Sequence, residues 1–305
     1  MKEKKPNIID VTLREASYKN GFNFSPQFVS KYLQEADDVG LKYCEIGHGL
    51  GLGAYRVKKF RSKISDKDLI DKVNSLKLNT KVGMFIQPKF NNYSDLEILE
   101  DSKLKFLRLG VIPENYKDLN WIIEFFSKKK KEIFIFFMQF NKDEPKDLKV
   151  KIKSIYEKHG LINFYFADST GSLTFDRIKS YYDSVKSINK KLVLGFHGHN
   201  NLGLANYNSI QCQEYGFNFI DASLSGAGRE AGNATLEHLL IFFQKKMKLS
   251  KKKLVKLLNL SMHFDKITNL SKNNVSLYAL YGLLQVHSGN KKDFVFKDKI
   301  KIDNF

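Results

Sequence analysis

The run EIFIFFMQF at residues 132–140 is short, almost wholly apolar and rich in β-branched and aromatic side chains. Because it does not alternate between polar and apolar residues, it predicts a parallel strand that is covered on both faces. Seven further runs share this character, so we predict eight strands. They are NIIDVTL (7–13), YCEIGH (43–48), KVGMFIQ (81–87), FLRLGVI (106–112), NFYFAD (163–168), LVLGFHGH (192–199) and FIDASL (219–224).

Amphipathic stretches separate these strands. In SPQFVSKYLQEADDVG (25–40), Ser25 is a candidate N-cap, Pro26 suits the first helical position and Gly40 suits the stop. Eight strands with eight intervening helices are typical of a closed TIM, or (β/α)₈, barrel of the α/β class. A doubly wound open sheet is the alternative, but no glycine-rich phosphate loop follows the first strand.

The predicted barrel occupies residues 1–247. Residues 248–305 contain two further helical patterns, KKKLVKLLNLSMHF and VSLYALYGLLQVH. We therefore expect a helical C-terminal extension that packs on or beside the barrel.

Composition restricts the class of protein. The chain has 51 Lys+Arg and 33 Asp+Glu, but the lysines are scattered through runs such as KKKK and KKMK rather than gathered around a nucleic-acid motif. We therefore expect no nucleic-acid partner, whereas an anionic substrate fits the net charge of +18. With two cysteines and no apolar leader or membrane-spanning run, we expect a cytoplasmic protein without disulfides.

Polar residues at the carboxyl ends of the strands define the candidate site, because a barrel places its catalytic groups there. His197 and His199 end the seventh strand. Residues i and i+2 of a strand face the same way, about 6.5–7 Å apart, so both imidazoles can meet one ion. A carboxylate from another strand would complete a mixed nitrogen and oxygen site with open positions for a substrate. Two hydrogen-bonded histidines without a metal are the alternative.

Three further features lie at the same end of the barrel. Arg14, beside Glu15 at the frayed end of the first strand, can grip a carboxylate or a developing enolate, with Glu45 orienting it. A surface ion pair is the alternative for Arg14. Arg108 is the polar residue of the fourth strand, and we expect it to contact the substrate. The loop SGAGREAGN is predicted to open the last barrel helix at Asn233, whose side chain can cap that helix or offer an oxygen to the metal.

Five segments, in order from about residue 7 to 240, resemble the superfamily of metal-dependent TIM-barrel lyases and synthases. This superfamily includes 3-hydroxy-3-methylglutaryl-CoA lyase, isopropylmalate and homocitrate synthases, and 4-hydroxy-2-oxovalerate aldolase, and EIGHGLGLG is most similar to the last of these. The resemblance implies a divalent ion, Mn²⁺ or Mg²⁺ with Zn²⁺ as the alternative, and a 2-oxo acid and an aldehyde as small-molecule partners. The segments are IIDVTLRE, EIGHGLGLG, ADSTG, GFHGHNNLGLANYNS and GAGREAGNATLE.

The resemblance also implies roles for individual residues. His197, His199 and Glu15 match the family's metal ligands, and Asn233 matches an asparagine near or on the metal. Arg14 matches the arginine that stabilises the enolate, Glu45 matches the acid that orients it, and Ser169 matches a contact to the substrate carboxylate.

Two residues depart from the family's pattern. Glu15 replaces an aspartate, so the coordination geometry must shift. Tyr18 stands where hydroxyoxovalerate aldolases have a catalytic histidine, and a tyrosine with a reference pKa near 10 is a poor base at pH 7. We expect Tyr18, His48 or Tyr281 to handle protons; the spacing of Tyr281 from His287 resembles a tyrosine–histidine pair of the aldolases.

The first hypothesis is therefore a metal-dependent aldolase or lyase that makes or breaks a carbon–carbon bond next to a 2-oxo acid through a metal-stabilised enolate. The alternatives are a Claisen-type synthase that uses acetyl-CoA, an Fe(II) oxygenase built on two histidines and a carboxylate, and a polyanion-binding barrel without enzymatic activity. The sequence leaves a homo-oligomer open.

Overall fold

The computed structural model describes residues 5–268. Its eight strands are parallel and form a closed barrel in which each strand pairs with the next and the last pairs with the first. All eight predicted strands and the TIM barrel are thereby confirmed. The strands are β1 (Asn7–Asp10), β2 (Tyr43–Ile46), β3 (Lys81–Ile86), β4 (Phe106–Val111), β5 (Glu132–Met138), β6 (Asn163–Asp168), β7 (Val193–Gly198) and β8 (Phe219–Ala222).

Helices connect the strands, and short 3₁₀ turns lie in several of the loops. The α-helices are α1 (Thr12–Ala16), α2 (Pro26–Val39), α3 (Asp66–Asn74), α4 (Tyr93–Glu100), α5 (Asn120–Phe126), α6 (Pro145–His159), α7 (Phe175–Lys186), α8 (Ala205–Tyr215), α9 (Leu236–Phe242), α10 (Gln244–Met247) and α11 (Lys251–Thr268). The 3₁₀ segments are Ser17–Lys19, Ala54–Arg56, Lys58–Phe60, Pro88–Phe90, Pro113–Leu119, Phe140–Lys142 and Leu224–Gly226.

Helix α2 has the ends that the sequence predicts. The Ser25 hydroxyl accepts a hydrogen bond from the Phe28 N–H at 3.2 Å, and Pro26 is the first helical residue. Gly40 ends the helix with φ +88°, a conformation that side chains with a Cβ rarely adopt. Local capping chemistry therefore sets the two ends of this helix.

Several predicted boundaries differ from the structure, and two of them bear on the site. Strand β1 ends at Asp10 rather than at residue 13, because the Asp10 carboxylate accepts the Thr12 N–H at 2.9 Å and starts the helical turn α1. Likewise, the last barrel helix begins at Leu236, and Thr235 is its N-cap. Asn233 does not cap that helix, since it forms an antiparallel β-bridge with His199 instead.

Aromatic side chains fill the inside of the barrel. Phe106 and Tyr165 lie where the Cβ atoms of Gly83 and Gly195, on the neighbouring strands, would otherwise be. Since glycine has no side chain, the two aromatic rings occupy the space beside it, and the interior of the barrel is filled. Aromatic side chains therefore fill the barrel below the candidate site, which lies at the carboxyl ends of the strands.

Helix α11 packs against helix α2. The ring of Phe264 lies 6.1 Å from that of Tyr32 and 6.4 Å from that of Phe28, and Lys256 pairs with Asp38 at 3.2 Å. The predicted helix VSLYALYGLLQVH falls outside the described residues, and the domain boundary at 247/248 stays a prediction. Within residues 5–268, no helix is long and apolar enough to cross a membrane.

Candidate metal centre and active site

Three side chains converge at the carboxyl end of the barrel. His197 and His199 come from the end of β7, and Glu15 comes from α1. Each offers one ligand atom, these atoms lie within 4.8 Å of one another, and all three residues are buried. Two imidazoles and a carboxylate at this spacing can hold one divalent ion.

His197 is oriented by a second carboxylate. Its Nδ1 lies 2.9 Å from Oδ2 of Asp221, and its Nε2 lies 3.8 Å from Oε1 of Glu15. Burial lowers the pKa of His197 well below its ordinary range, so the ring is neutral at pH 7. If Nδ1–H donates to Asp221, the lone pair of Nε2 faces Glu15, as metal binding requires.

Several buried polar atoms next to this point have no hydrogen-bond partner within the described part of the chain. They are Oε2 of Glu15, Nδ1 of His199, Oδ1 of Asn233 and Nη2 of Arg14. A buried polar atom without a partner is rare, because the free energy lost when water is removed from it is not offset by a hydrogen bond within the protein. The first three atoms are metal-ligand types and the fourth is a donor. The cluster therefore fits a divalent ion with an anionic oxygen beside it.

Asn233 is held in place by its own loop. Its side-chain Nδ2 donates to the carbonyl of Ala227 at 3.2 Å, and its backbone is bridged to that of His199. The bridge places Asn233 next to His199, and its amide oxygen has no partner within the described residues, so Asn233 is a candidate fourth ligand.

Buried ion pairs connect the metal-ligand cluster to charged side chains inside the barrel. Arg14 bonds through Nη1 to Glu15 at 2.5 Å and through Nε to Glu45. Arg108 lies 3.4 Å from Glu45 and 2.5 Å from Asp221, whose Oδ2 also meets His197. Together with the contact between His197 and Glu15, these contacts form a closed ring of six side chains, which we call the ion-pair ring. Its order is Arg14, Glu45, Arg108, Asp221, His197 and Glu15.

The electrostatics of this ring favour an added cation. Burial alone would raise the pKa of Glu15, but the adjacent Arg14 guanidinium lowers it to about 2. Burial opposes the charge of Arg14, yet Glu15 and Glu45 raise its pKa. Three carboxylates, those of Glu15, Glu45 and Asp221, face two guanidiniums, so the ring carries a formal charge of −1. A divalent ion would change this charge to +1, which a substrate carboxylate would neutralise.

Residues 109–268 match the sequence model of the HMGL-like family, which is more than half of the chain. The chain belongs to the HMGL-like family. An oxaloacetate decarboxylase of Mycobacterium tuberculosis is 28% identical over 243 residues, which are 80% of this chain and 71% of that protein. A 4-hydroxy-2-oxovalerate aldolase of Carboxydothermus hydrogenoformans is 28% identical over 242 residues, 79% of this chain and 71% of that protein.

The fold is also that of a solved lyase. The crystal structure of hydroxymethylglutaryl-CoA lyase from Pseudomonas aeruginosa superposes with a TM-score of 0.72, covering 93% of this chain and 99% of that chain at 14% identity. The family resemblance read from the sequence is confirmed. The two relatives' names are those of enzymes that break carbon–carbon bonds.

Arg108 is predicted to contact the substrate, and the structure buries its side chain inside the barrel. Its side chain is 0% exposed and lies between the rings of Phe136 and Tyr165, with centroids 4.4 and 4.3 Å from the guanidinium carbon. Both of its carboxylate partners, Glu45 and Asp221, also point at the site. This geometry favours a role for Arg108 in positioning the two carboxylates, and its contact with a substrate stays a prediction.

His48 and Ser169 are engaged with backbone atoms. His48 Nδ1 accepts the Leu50 N–H at 3.1 Å, and Nε2 lies 2.8 Å from the carbonyl of Phe60. Both ring nitrogens are thus used, which argues against the predicted proton transfer by His48. Ser169 follows β6, and its hydroxyl accepts the Gln139 N–H at 3.1 Å.

Tyr18 lies beside the metal cluster, three residues after Glu15. Its ring packs on Gly49, where an added Cβ would come within 2.5 Å of it, and the guanidinium of Arg229 lies 4.9 Å from the ring centroid. Burial raises the pKa of Tyr18 to about 12, so the phenol is a neutral donor at pH 7. Tyr281 and His287 lie outside the described residues.

The sequence analysis missed two buried aspartates, of which Asp221 belongs to the ring and Asp10 anchors the turn that carries Arg14 and Glu15. Asp221 lies inside β8 and Asp10 ends β1, and each is about 1% exposed. An acid within the apolar run FIDASL was the available signal for Asp221, because a buried carboxylate requires a partner. For Asp10 the signal was Thr12 two residues later, a spacing that suits a side-chain-capped turn.

Proposed function

We propose that this HMGL-like protein is a divalent-metal-dependent aldolase or lyase that acts on the carbon–carbon bond next to a 2-oxo acid. The observation that carries the proposal is the convergence of Glu15, His197 and His199 beside an Arg14 nitrogen that has no partner in the described part of the chain. Two relatives named as an oxaloacetate decarboxylase and a 4-hydroxy-2-oxovalerate aldolase support it.

Glu15, His197, His199 and Asn233 would hold the ion. Two of these side chains offer imidazole nitrogen and two offer oxygen, and we propose Mn²⁺ or Mg²⁺ because oxygen ligands and open positions suit these ions. Zn²⁺ is the alternative. When bound, the ion supplies a Lewis acid that polarises a substrate carbonyl.

Arg14 would stabilise the charge that develops on the substrate. Its Nε and Nη1 are held by Glu45 and Glu15, and among residues 5–268 its buried Nη2 has no hydrogen-bond partner. As the carbon–carbon bond breaks, the electron pair moves toward the 2-oxo oxygen, and a donor fixed in advance stabilises that oxygen without reorganisation. Glu45 and Arg108 are positioning residues, because they hold the Arg14 guanidinium from below.

Tyr18 would supply a proton rather than remove one. With its pKa raised to about 12 by burial, the phenol keeps its proton at pH 7. A neutral phenol donates to an oxygen or a carbanion more readily than it abstracts a proton.

The test is turnover by the metal-loaded protein. Oxaloacetate and 4-hydroxy-2-oxovalerate are offered separately with Mn²⁺ or Mg²⁺, and pyruvate is followed by proton NMR. We expect pyruvate from at least one substrate, and loss of turnover in the His197→Ala/His199→Ala variant. Lys191→Gln is the control, since Lys191 is exposed and precedes β7 at the opposite end of the barrel. No pyruvate from either substrate, together with condensation that requires acetyl-CoA, would favour the Claisen-type synthase.

A further inference from the structure

The turn that follows β1 carries a buried threonine close to the candidate ligand Glu15. Thr12 is the first residue of α1, its side chain is 0% exposed, and its hydroxyl donates to the carboxylate of Asp10. The same hydroxyl oxygen accepts the Leu224 N–H at 2.8 Å, from the segment that follows β8. One side chain therefore links the turn after the first strand to the loop after the last strand.

The hydroxyl of Thr12 has a fixed orientation. Oδ1 of Asp10 also accepts the Thr12 N–H at 2.9 Å, and its Oδ2 accepts the Tyr32 hydroxyl at 2.7 Å. Asp10 is 1% exposed, so its carboxylate is held as an acceptor inside the protein. A hydroxyl has a single hydrogen, and because Asp10 accepts it, the lone pairs of Thr12 are left for the Leu224 N–H.

The segment that Thr12 holds is bonded directly to Asn233. Leu224 opens a 3₁₀ turn whose last residue is Gly226, and the Gly226 carbonyl accepts the Asn233 N–H at 2.9 Å. The carbonyl of the next residue, Ala227, accepts the side-chain Nδ2 of Asn233 at 3.2 Å. Both the backbone and the side chain of Asn233 are thus bonded to this turn, and a displacement of Leu224 would move the candidate fourth ligand.

On its other side, Thr12 belongs to the turn that presents Glu15. The Glu15 N–H donates to the carbonyl of Val11, the residue before Thr12, at 2.9 Å. The Val11 N–H donates in turn to the Ala222 carbonyl at the end of β8, also at 2.9 Å. Thr12 therefore lies between two candidate ligands, Glu15 and Asn233, that come from opposite ends of the barrel sequence.

We propose that Thr12 is a positioning residue of the metal centre, because its hydroxyl holds the loop with Asn233 against the turn with Glu15. The inference rests on the proposed function, which takes these two residues as metal ligands. Thr12 acts through the Leu224 N–H. If the hydroxyl were removed, that buried N–H would lose its acceptor, which is costly, so we expect the start of the loop to move away from the turn.

The experiment separates the hydroxyl of Thr12 from its volume. Thr12→Val keeps the shape of the side chain and removes the hydroxyl, whereas Thr12→Ser keeps the hydroxyl. In calorimetric titration with Mn²⁺, we expect Thr12→Val to lower the affinity about tenfold, as loss of a group that orients a metal ligand does, and Thr12→Ser to restore most of it. In an Asn233→Ala background, Thr12→Val should have little further effect, because the loop no longer carries a ligand. Thr12→Ala serves the same comparison if the valine variant does not fold.

Thr80→Val is the matched control. Thr80 is 5% exposed, its hydroxyl donates to the Leu41 carbonyl at 2.6 Å, and it precedes β3 at the opposite end of the barrel. Urea unfolding should show lower stability for both valine variants, since each loses a buried hydrogen bond. The affinity for Mn²⁺ should fall only in Thr12→Val.

Hydrogen exchange of the metal-free protein gives a readout that needs no ion. The amides of residues 224–233 should exchange faster in Thr12→Val than in the wild type, in Thr12→Ser or in Thr80→Val. Unchanged exchange would overturn the inference, as would wild-type Mn²⁺ affinity in Thr12→Val or an equal loss of affinity in the Asn233→Ala background.

These outcomes are separable from failure of the proposed function. Absence of turnover, with the pattern of Mn²⁺ affinities as expected, contradicts the lyase assignment and supports the role of Thr12. A wild type that binds no divalent ion contradicts the metal centre, and with it the positioning role, even if hydrogen exchange shows that Thr12 holds the loop.

Discussion

Asp221→Asn tests whether the ion-pair ring organises the metal centre. Asp221 accepts from Arg108 at 2.5 Å and meets His197 Nδ1 at 2.9 Å, and it is 1% exposed. Asparagine keeps the shape of the side chain but removes its charge. Arg108 would then retain only one carboxylate partner, Glu45 at 3.4 Å.

We expect Asp221→Asn to lower both the free energy of unfolding and the affinity for the metal ion. Removing one partner of a buried ion pair costs about 3–5 kcal/mol, and we expect the lower end, near 3 kcal/mol, because the amide oxygen still accepts a hydrogen bond. Loss of the carboxylate that orients a metal-binding histidine lowers metal affinity about 10–100-fold. The measurements are urea unfolding of the metal-free protein and calorimetric titration with Mn²⁺.

The matched control is Asp118→Asn, at an exposed aspartate of the segment Pro113–Leu119. A surface substitution of this kind should change the free energy of unfolding by less than about 0.5 kcal/mol. If Asp221→Asn matched this control in both unfolding and Mn²⁺ affinity, the ring would have no role in holding His197.

Three further predictions concern single side chains. Arg14→Lys should lower the turnover number about 10²–10³-fold with little effect on Mn²⁺ affinity, since lysine lacks the fork that leaves Nη2 free; a calorimetric titration that shows equal losses of both would contradict this. Glu15→Asp should weaken Mn²⁺ binding in the same titration, because the carboxylate becomes one methylene too short; unchanged affinity would show that Glu15 is not a ligand. Burial raises the pKa of Glu237, which accepts the Ser225 N–H at 3.0 Å, from 4.5 to about 7. The folded protein therefore binds this proton more tightly than the unfolded chain does. Below about pH 4.5 the neutral carboxyl contributes roughly 3 kcal/mol to the free energy of unfolding, and this contribution is lost as the pH rises through 7. Urea unfolding at pH 5 and pH 8 should show this loss in the wild type and much less of it in Glu237→Gln; equal losses would be the contrary result.

The parts of the fold that depend on local chemistry could be predicted from the sequence. Strand positions follow from unbroken apolar runs, and the ends of α2 follow from Ser25, Pro26 and Gly40. The pairing of His197 with His199 needs only the two-residue period of a strand. These features require no knowledge of which side chains meet across the barrel.

The rest depends on contacts between strands that are distant in sequence. The sequence predicts that Arg108 reaches the substrate, whereas the structure encloses its side chain between the rings of Phe136 and Tyr165 from the two following strands. Asp221 acquires its role only because β7 and β8 are adjacent and bring it to His197. His48 is occupied by two backbone groups of its own loop, a conformation that no periodic pattern encodes.

Exchange of the C3 protons of pyruvate with solvent deuterium reports enolate formation, because it requires both the metal ligands and the stabilised oxygen that Arg14 faces. The exchange is followed by proton NMR in D₂O with Mg²⁺ and, in a separate sample, after chelation. We expect exchange by the wild type only with the ion present, and none by the His197→Ala/His199→Ala variant with the ion restored. Exchange that persists in that variant, or a wild type that exchanges nothing with Mn²⁺, Mg²⁺ or Zn²⁺, would contradict the proposed enolate chemistry.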